Sequence, residues 1–418
     1  MPIRSRLIHA LWALVICTLL AGFAAAEPVR LMVVSDIHYL APSCYEQSEG
    51  LFLSVMQRAD GKMTHYSREL LEGLVEEVQH QQPDALIVTG DISFNGEYAS
   101  HEGLAAAFAQ IEETGVDIWV IPGNHDINIE STWAFIKYSY EPTPNTSPEE
   151  FAELYAPFLG TERAEGANLS YVVPLREDLW LAMCDAAIYD PEPATAGYYT
   201  TGHQLWLREV LAQAKEAGAQ VITATHQSVV PHTAFLQEAM SVWRGENMAA
   251  DMRASGSSQL NLSGHLHIQH IAEDDGIYDI TTGAFSVPPF TYGIIEVDDA
   301  GAISYQAQRL CEEHLPGRVV EQAKTWFEDV HNARQRNSLA ELELSEEERK
   351  MLQDFTARVN HAYFTGELAN PPTPWEEDPA WELVQAVQEK YPSAAYLTSQ
   401  INAAENQRDA RNLELSAP

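Results

Sequence analysis

Asp117-Ile-Trp-Val-Ile-Pro-Gly-Asn-His-Asp126 is the stretch from which the fold of this chain is read. The apolar run from Asp117 to Ile121 predicts a short buried strand, and the polar cluster Gly123-Asn124-His125-Asp126 falls in the loop just past its end. The same grammar occurs twice upstream. Arg30 to Ser35 reads as a strand that delivers Asp36 and His38, and Ala85 to Thr89 as a strand ending at Gly90-Asp91. Between them, Leu70, Leu71, Leu74, Val75 and Val78 recur at helical spacing over Ser67 to His80, and a second helix is predicted over Ala99 to Glu113. Alternation of this kind implies an α/β fold, in which groups distant in sequence converge beyond the strand ends.

The later half continues the pattern. Strands are predicted at Ser170 to Pro174 and Leu179 to Cys184, and a helix from Gln204 to Ala217 is closed by Gly218. Gln220 to Thr225 is a strand that delivers His226, and Leu260 to Ser263 precedes Gly264-His265-Leu266-His267. Further β runs cover Gly276 to Thr281 and Tyr292 to Val297, so helices on two packed sheets are expected. After Leu310 the character becomes helical. Ser345-Glu-Glu-Glu348 fits a capping box, Leu352, Phe355, Val359 and Ala362/Tyr363 form an apolar stripe that stops before Gly366, and a helix starts at Trp381. The residues from Gln407 onward are expected to fray. The predicted boundaries are a leader over 1–26, an α/β domain over 27–312 and a helical domain over 313–418.

Arg4 and Arg6, the apolar run Leu11 to Phe23 and the small residues Ala24-Ala25-Ala26 read as a secretion signal, so an exported protein without a membrane span after cleavage is expected. Cys17 lies inside that run. The remaining Cys44, Cys184 and Cys311 are an odd number and do not describe a disulfide framework; one bridge at most is possible. The formal net charge of −37 repels polyanions, and no Lys/Arg cluster is present to release counterions from a phosphate backbone. A nucleic-acid polymer is thereby excluded as partner, and a small substrate is expected. Oligomeric state stays open.

Taken in order, Asp36-Ile-His38, Gly90-Asp91, Gly123-Asn-His-Asp126, His226 and Gly264-His-Leu-His267 read as a site for two metal ions. Phosphate-ester hydrolysis near neutral pH needs charge neutralisation on the phosphoryl oxygens, a strong oxygen nucleophile and a proton for the leaving group. Two cations about 3.5–4 Å apart supply the first two, with a bridging hydroxide attacking in line. A bridging carboxylate must hold such a pair, and Asp91 is the natural bridge because Gly90 permits a tight turn at the strand end. The N/O donor set without thiolate suits Mn, Fe or Zn better than Ca or Mg. His125 is the candidate acid, with Asp126 expected to orient its imidazole.

The five motifs resemble the calcineurin-like metallophosphoesterase superfamily over about Arg30 to Leu310. The resemblance implies a four-layer αββα sandwich with a C-terminal helical subdomain. It also implies Asp36, His38 and His267 as further ligands of one metal, and Asn124, His226 and His265 as further ligands of the other. Phe94 stands where purple acid phosphatases carry a tyrosine, and Ile92-Ser-Phe-Asn95 with Asp126 departs from the protein phosphatases. Ser35-Asp-Ile-His-Tyr-Leu40, an insertion ending Ala59-Asp-Gly-Lys62, Asn95-Gly-Glu97 and Asn360-His-Ala-Tyr-Phe-Thr-Gly366 are similar to bacterial cyclic-nucleotide phosphodiesterases with a helical C-terminal domain.

The implied activity is hydrolysis of small phosphodiesters such as cyclic nucleotides. A phosphomonoesterase or nucleotidase needs the same metals and stands as the alternative, and a non-catalytic binding protein on the same fold is a third reading. His65, His80, His101, His203, His232 and His270 match no motif and read mostly as solvated side chains, with His65 and His232 as candidates to line the pocket. Tyr45, Phe52, Phe235 and Trp243 lie in loops where a base could stack, although packing of the loops themselves is the simpler expectation.

Overall fold

The computed structural model describes residues 27–46, 50–58, 60–161, 164, 166–232, 240–404 and 409–418; the leader expected over 1–26 lies outside them. Two six-stranded sheets form the centre. The first contains β1 (Val29–Val34), β2 (Ala85–Thr89) and β3 (Asp117–Ile121), and the second β4 (Tyr171–Arg176), β5 (Leu179–Met183), β6 (Gln220–Ala224), β7 (Leu260–Ser263), β8 (His270–Asp274) and β9 (Ile277–Thr281). Strands β10 (Thr291–Val297), β11 (Ile303–Arg309) and β12 (Asn412–Leu415) complete the first sheet, in the order β12-β11-β10-β1-β2-β3. The second runs β8-β9-β7-β6-β5-β4. Helices α1 (Ser67–Gln81) and α2 (Tyr98–Glu112) connect β1, β2 and β3, while α3 (Thr201–Ala217) and α4 (Gly245–Ser255) belong to the second sheet's half.

Burial explains why these runs are strands. Every residue of β2, β6 and β7 is buried, as expected of parallel strands covered on both faces; β2 is correspondingly a continuous apolar run, whereas the polar Thr223 of β6 and Asn261 of β7 are buried by bonding each other. β3 is an edge strand whose free backbone groups need partners. Tyr171 on β4 supplies them from the opposite sheet. Its hydroxyl accepts from the Val120 amide and lies equally close to the Val120 carbonyl, each at 2.9 Å, which clips the two sheets together beside the site.

Helices α5 (Gly317–Ala340), α6 (Glu346–Thr365), α7 (Trp381–Lys390) and α8 (Tyr396–Ala404) form the C-terminal region. It has its own core of Leu352, Phe355, Val359, Val384, Leu397 and neighbours. Ser345 caps α6 in the expected box with Glu348, and Gly366 closes it at φ 74°. One expectation is corrected here. The chain end is not frayed: Asn412 to Leu415 returns as an edge strand antiparallel to β11, with Ile303 opposite Leu415. Alternation in Asn-Leu-Glu-Leu is too short to announce a strand by itself, and only the exposed edge of β11 makes it one.

Candidate metal centre

β1, β2 and β3 are mutually parallel, as are β6 and β7, so their C-terminal ends open on shared crevices. Asp36 and His38 follow β1, Asp91 follows β2, Asn124 to Asp126 follow β3, His226 follows β6, and His265 and His267 follow β7. These loops meet. Asp36, His38, Asp91 and His267 offer ligand-type atoms within 4.8 Å of one another, and Asp91, His226 and His265 do the same. Asp91 is common to both groups. Asn124 joins the second group, with its Oδ1 3.2 Å from His226 Nε2.

The backbone is strained at the same residues. Asp36 (φ 56°), His38 (φ 45°), Asp91 (φ 48°), His265 (φ 67°) and His267 (φ 59°) are all left-handed, a conformation that costs a non-glycine residue roughly 1–2 kcal/mol. Cross-strand hydrogen bonds hold it there. The Asp36 amide donates to Gly90 O at 3.1 Å, the His38 amide to Asp91 O at 3.0 Å, and the His265 amide to Asp36 Oδ2 at 2.9 Å. Two motif glycines admit this crowding. A Cβ on Gly90 (φ 90°) would lie 2.7 Å from His226 Nδ1, and one on Gly264 would collide with Ser35 Oγ and Asp36 Oδ2. Concentrated strain of this kind is what a pre-organised site requires.

The donors fit a pair of divalent cations. Asp36 Oδ1 and His265 Nε2 are buried with no hydrogen-bond partner among the described residues, as atoms reserved for another ligand would be. The histidines are aimed from behind. His226 Nδ1 donates to Thr89 O at 2.7 Å and His267 Nδ1 to Asp60 Oδ2 at 2.5 Å, turning each Nε2 toward the carboxylates. Burial would raise Asp91, but the neighbouring His226 and His125 outweigh it and hold the carboxyl well below its usual range. Burial likewise opposes protonation of His226, yet Asp91 lifts it to about 9. His265 goes the other way, pushed to about 3 by burial and by His226.

The expected orienter of His125 is corrected. Asp126 does not hold the imidazole; its carboxylate accepts instead from the amides of Ile92, Ser93 and Gly123 and from the Ser93 hydroxyl, at 2.7–3.2 Å. It is the staple that folds the loop. Asn95 takes the role, its Oδ1 accepting from His125 Nδ1 at 2.7 Å. Asn95 and Asp60, which bond His125 and His267, and Lys62 beside Asp60 are residues that the motif reading did not assign. Their only signal was in the stretches Asn95-Gly-Glu97 and Ala59-Asp-Gly-Lys62, which lie outside the five motifs.

The remaining histidines are also corrected, since most are not solvated. His101 bonds the Tyr155 hydroxyl and the Asp126 carbonyl, and His203 completes the cap of α3. His232 pairs with His270 at 2.9 Å, and His65 packs on Trp326 with ring centroids 4.5 Å apart; neither belongs to the ligand groups. Only His80 is exposed among those six. Tyr45, Phe52 and Phe135 pack against one another, so the first loop's rings serve packing, whereas Trp243 is half-exposed and Phe235 lies outside the described residues. Cys44, Cys184 and Cys311 are free thiols.

Known proteins resemble this chain in both of its parts. A family model described as calcineurin-like phosphoesterase matches residues 29–269, and one described as the C-terminal domain of cyclic nucleotide phosphodiesterase matches 321–407. Among solved structures, a dimetal phosphatase from Danio rerio is 14% identical over 68% of this chain and 96% of its own, with a TM-score of 0.51. A Thermus thermophilus protein, TT1561, is 14% identical over 68% and 99%, with a TM-score of 0.39. Phosphopantetheinyl hydrolase from Mycobacterium tuberculosis is 13% identical over 62% and 91%, with a TM-score of 0.33. No curated protein matches the chain.

Proposed function

From the premise that this chain belongs to the calcineurin-like phosphoesterase family, we propose that it hydrolyses small phosphodiesters, cyclic nucleotides foremost, outside the cytoplasm. The observation that carries the reaction class is Asp91, the one carboxylate common to both ligand groups and therefore able to bridge two cations. Support for a diester comes from the C-terminal match to cyclic nucleotide phosphodiesterases. Export rests on the leader read in residues 1–26.

Asp36, His38, Asp91 and His267 would hold one ion, and Asp91, Asn124, His226 and His265 the other. When bound, divalent transition metals such as Mn, Fe or Zn neutralise phosphoryl charge and activate water. The chain's own residues do the rest. Asn95 engages Nδ1 of His125, which leaves Nε2 as the nitrogen available to a leaving oxygen. With Nδ1 already protonated, Nε2 donates only from the imidazolium, a form that burial disfavours until an anionic substrate arrives. The acidic surface restricts access to small anions drawn by the centre itself.

The test is turnover of bis-p-nitrophenyl phosphate against p-nitrophenyl phosphate by the mature protein, after adding each divalent metal to metal-free enzyme. Preference for the diester is expected. A strong preference for the monoester would replace the diesterase reading with the phosphatase alternative.

A further inference from the structure

The segment Asp60-Gly61-Lys62 runs along the metal centre and is held there by the C-terminal helices. Asp60 Oδ2 accepts from Nδ1 of the ligand His267, and its other oxygen lies 3.5 Å from Lys62 Nζ. Behind the segment, the Trp326 indole on α5 donates to the Lys62 carbonyl at 3.2 Å. A Cβ on Gly61 (φ 98°) would come within 2.9 Å of the Phe327 ring, so the helix seats directly on the backbone there. The Met63 amide donates to Ser286 O at 2.7 Å, and Ser286 in turn donates to the Asp36 carbonyl from its amide and its hydroxyl. The strap is thus pinned to the first ligand motif on one side and to α5 on the other.

We propose that Lys62 is a substrate-binding residue, its ammonium held by Asp60 to contact a non-bridging phosphoryl oxygen of the ester bound at the metal centre. An ammonium has three donors, and Lys62 is only 13% exposed. Its one carboxylate partner among the described residues, Asp60 Oδ1, lies at 3.5 Å, beyond good hydrogen-bond distance. A largely buried cation with unused donors is costly unless an anion completes it. The position suits one. Asp60, which faces the ammonium across 3.5 Å, is itself hydrogen-bonded to the ligand His267, so Lys62 stands one carboxylate away from the metal centre. The proposal rests on the phosphoesterase reading and adds a substrate contact that no motif residue supplies.

Calorimetric titration of inorganic phosphate into the manganese-loaded full chain, with metal content measured on the same samples, tests it. Lys62→Gln is expected to retain both metals and to bind phosphate about tenfold to a hundredfold more weakly, the range of a charge-assisted hydrogen bond. Lys62→Met, which keeps the apolar stem, should behave alike, and Lys62→Arg should recover most of the affinity. Unchanged phosphate affinity in both neutral variants would overturn the proposal. So would a loss of metal paralleling the loss of phosphate, because Lys62 would then act only through Asp60 and His267. A wild-type chain that holds no metal pair would show in the metal analysis and would remove the phosphoesterase reading itself, and this proposal with it.

Discussion

His125 Nδ1 donates to Asn95 Oδ1 at 2.7 Å, although Asp126 is the adjacent residue and the stronger acceptor. Asp126 is unavailable because four donors from neighbouring loops already surround its carboxylate. The side chain next in sequence builds the loop, and one thirty positions away aims the imidazole.

His125→Ala should lower turnover by about 10²- to 10⁴-fold, the usual worth of a positioned acid, and most for substrates with poor leaving groups. Asn95→Ala should give a smaller loss with the same leaving-group bias, since the imidazole remains but is no longer oriented. Rates on p-nitrophenol and alkyl leaving groups check both. Equal losses on the two would remove proton donation from the role of His125.

Asp126→Asn should act on stability instead. An amide in place of the carboxylate sets NH2 against donors it cannot accept from, at a cost of about 1–3 kcal/mol. Urea unfolding would report the drop in midpoint, while activity per folded molecule should change far less than in His125→Ala.

Asp91→Asn removes the negative charge common to both ligand groups. Elemental analysis should find fewer than two metals per chain, and diester turnover should fall at least about a hundredfold. Full activity with two bound ions would sink the bridging assignment.

Asp60→Asn should weaken metal binding about tenfold to a hundredfold, as loss of a carboxylate that orients a ligand histidine does. Competition with a chelator measures it. An unchanged affinity would mean that the Asp60 to His267 bond has no hold on the metal.

The metal-free chain should lose stability as pH rises from about 6.5 to about 9. Burial alone would lower His226 and His267, but Asp91 beside the first and Asp60 beside the second lift each to about 9 from an ordinary 6.5. A raised folded value stabilises fully below the unfolded one and is lost as pH climbs through the folded one. Thermal melts of apoprotein across that window should show the fall. Metal uptake at pH 7 should release protons, seen as buffer-dependent heats. An apoprotein Tm that holds flat would contradict the charge pairing.

Strand ends and their polar clusters were legible because buried parallel strands write themselves as continuous apolar runs, and the loops after them carry the donors. Gly90 and Gly264 were legible for a related reason: at a motif's tightest point only a missing side chain fits. Asp60 and Lys62 were not. Nothing local marks a carboxylate that will meet a histidine 207 positions later. Nor does Asn-Leu-Glu-Leu415 announce itself as a strand when its partner's open edge is what creates it.

The sequence by itself therefore determined the α/β architecture and the candidate metal-holding residues, since periodicity and donor type are local properties. Tertiary structure alone decided that Asn95 rather than Asp126 aims His125, and that α5 presses Asp60 and Lys62 onto the centre. Those choices turn on which groups are already satisfied when the chain closes. That is a property of the packed whole, and no segment carries it in advance.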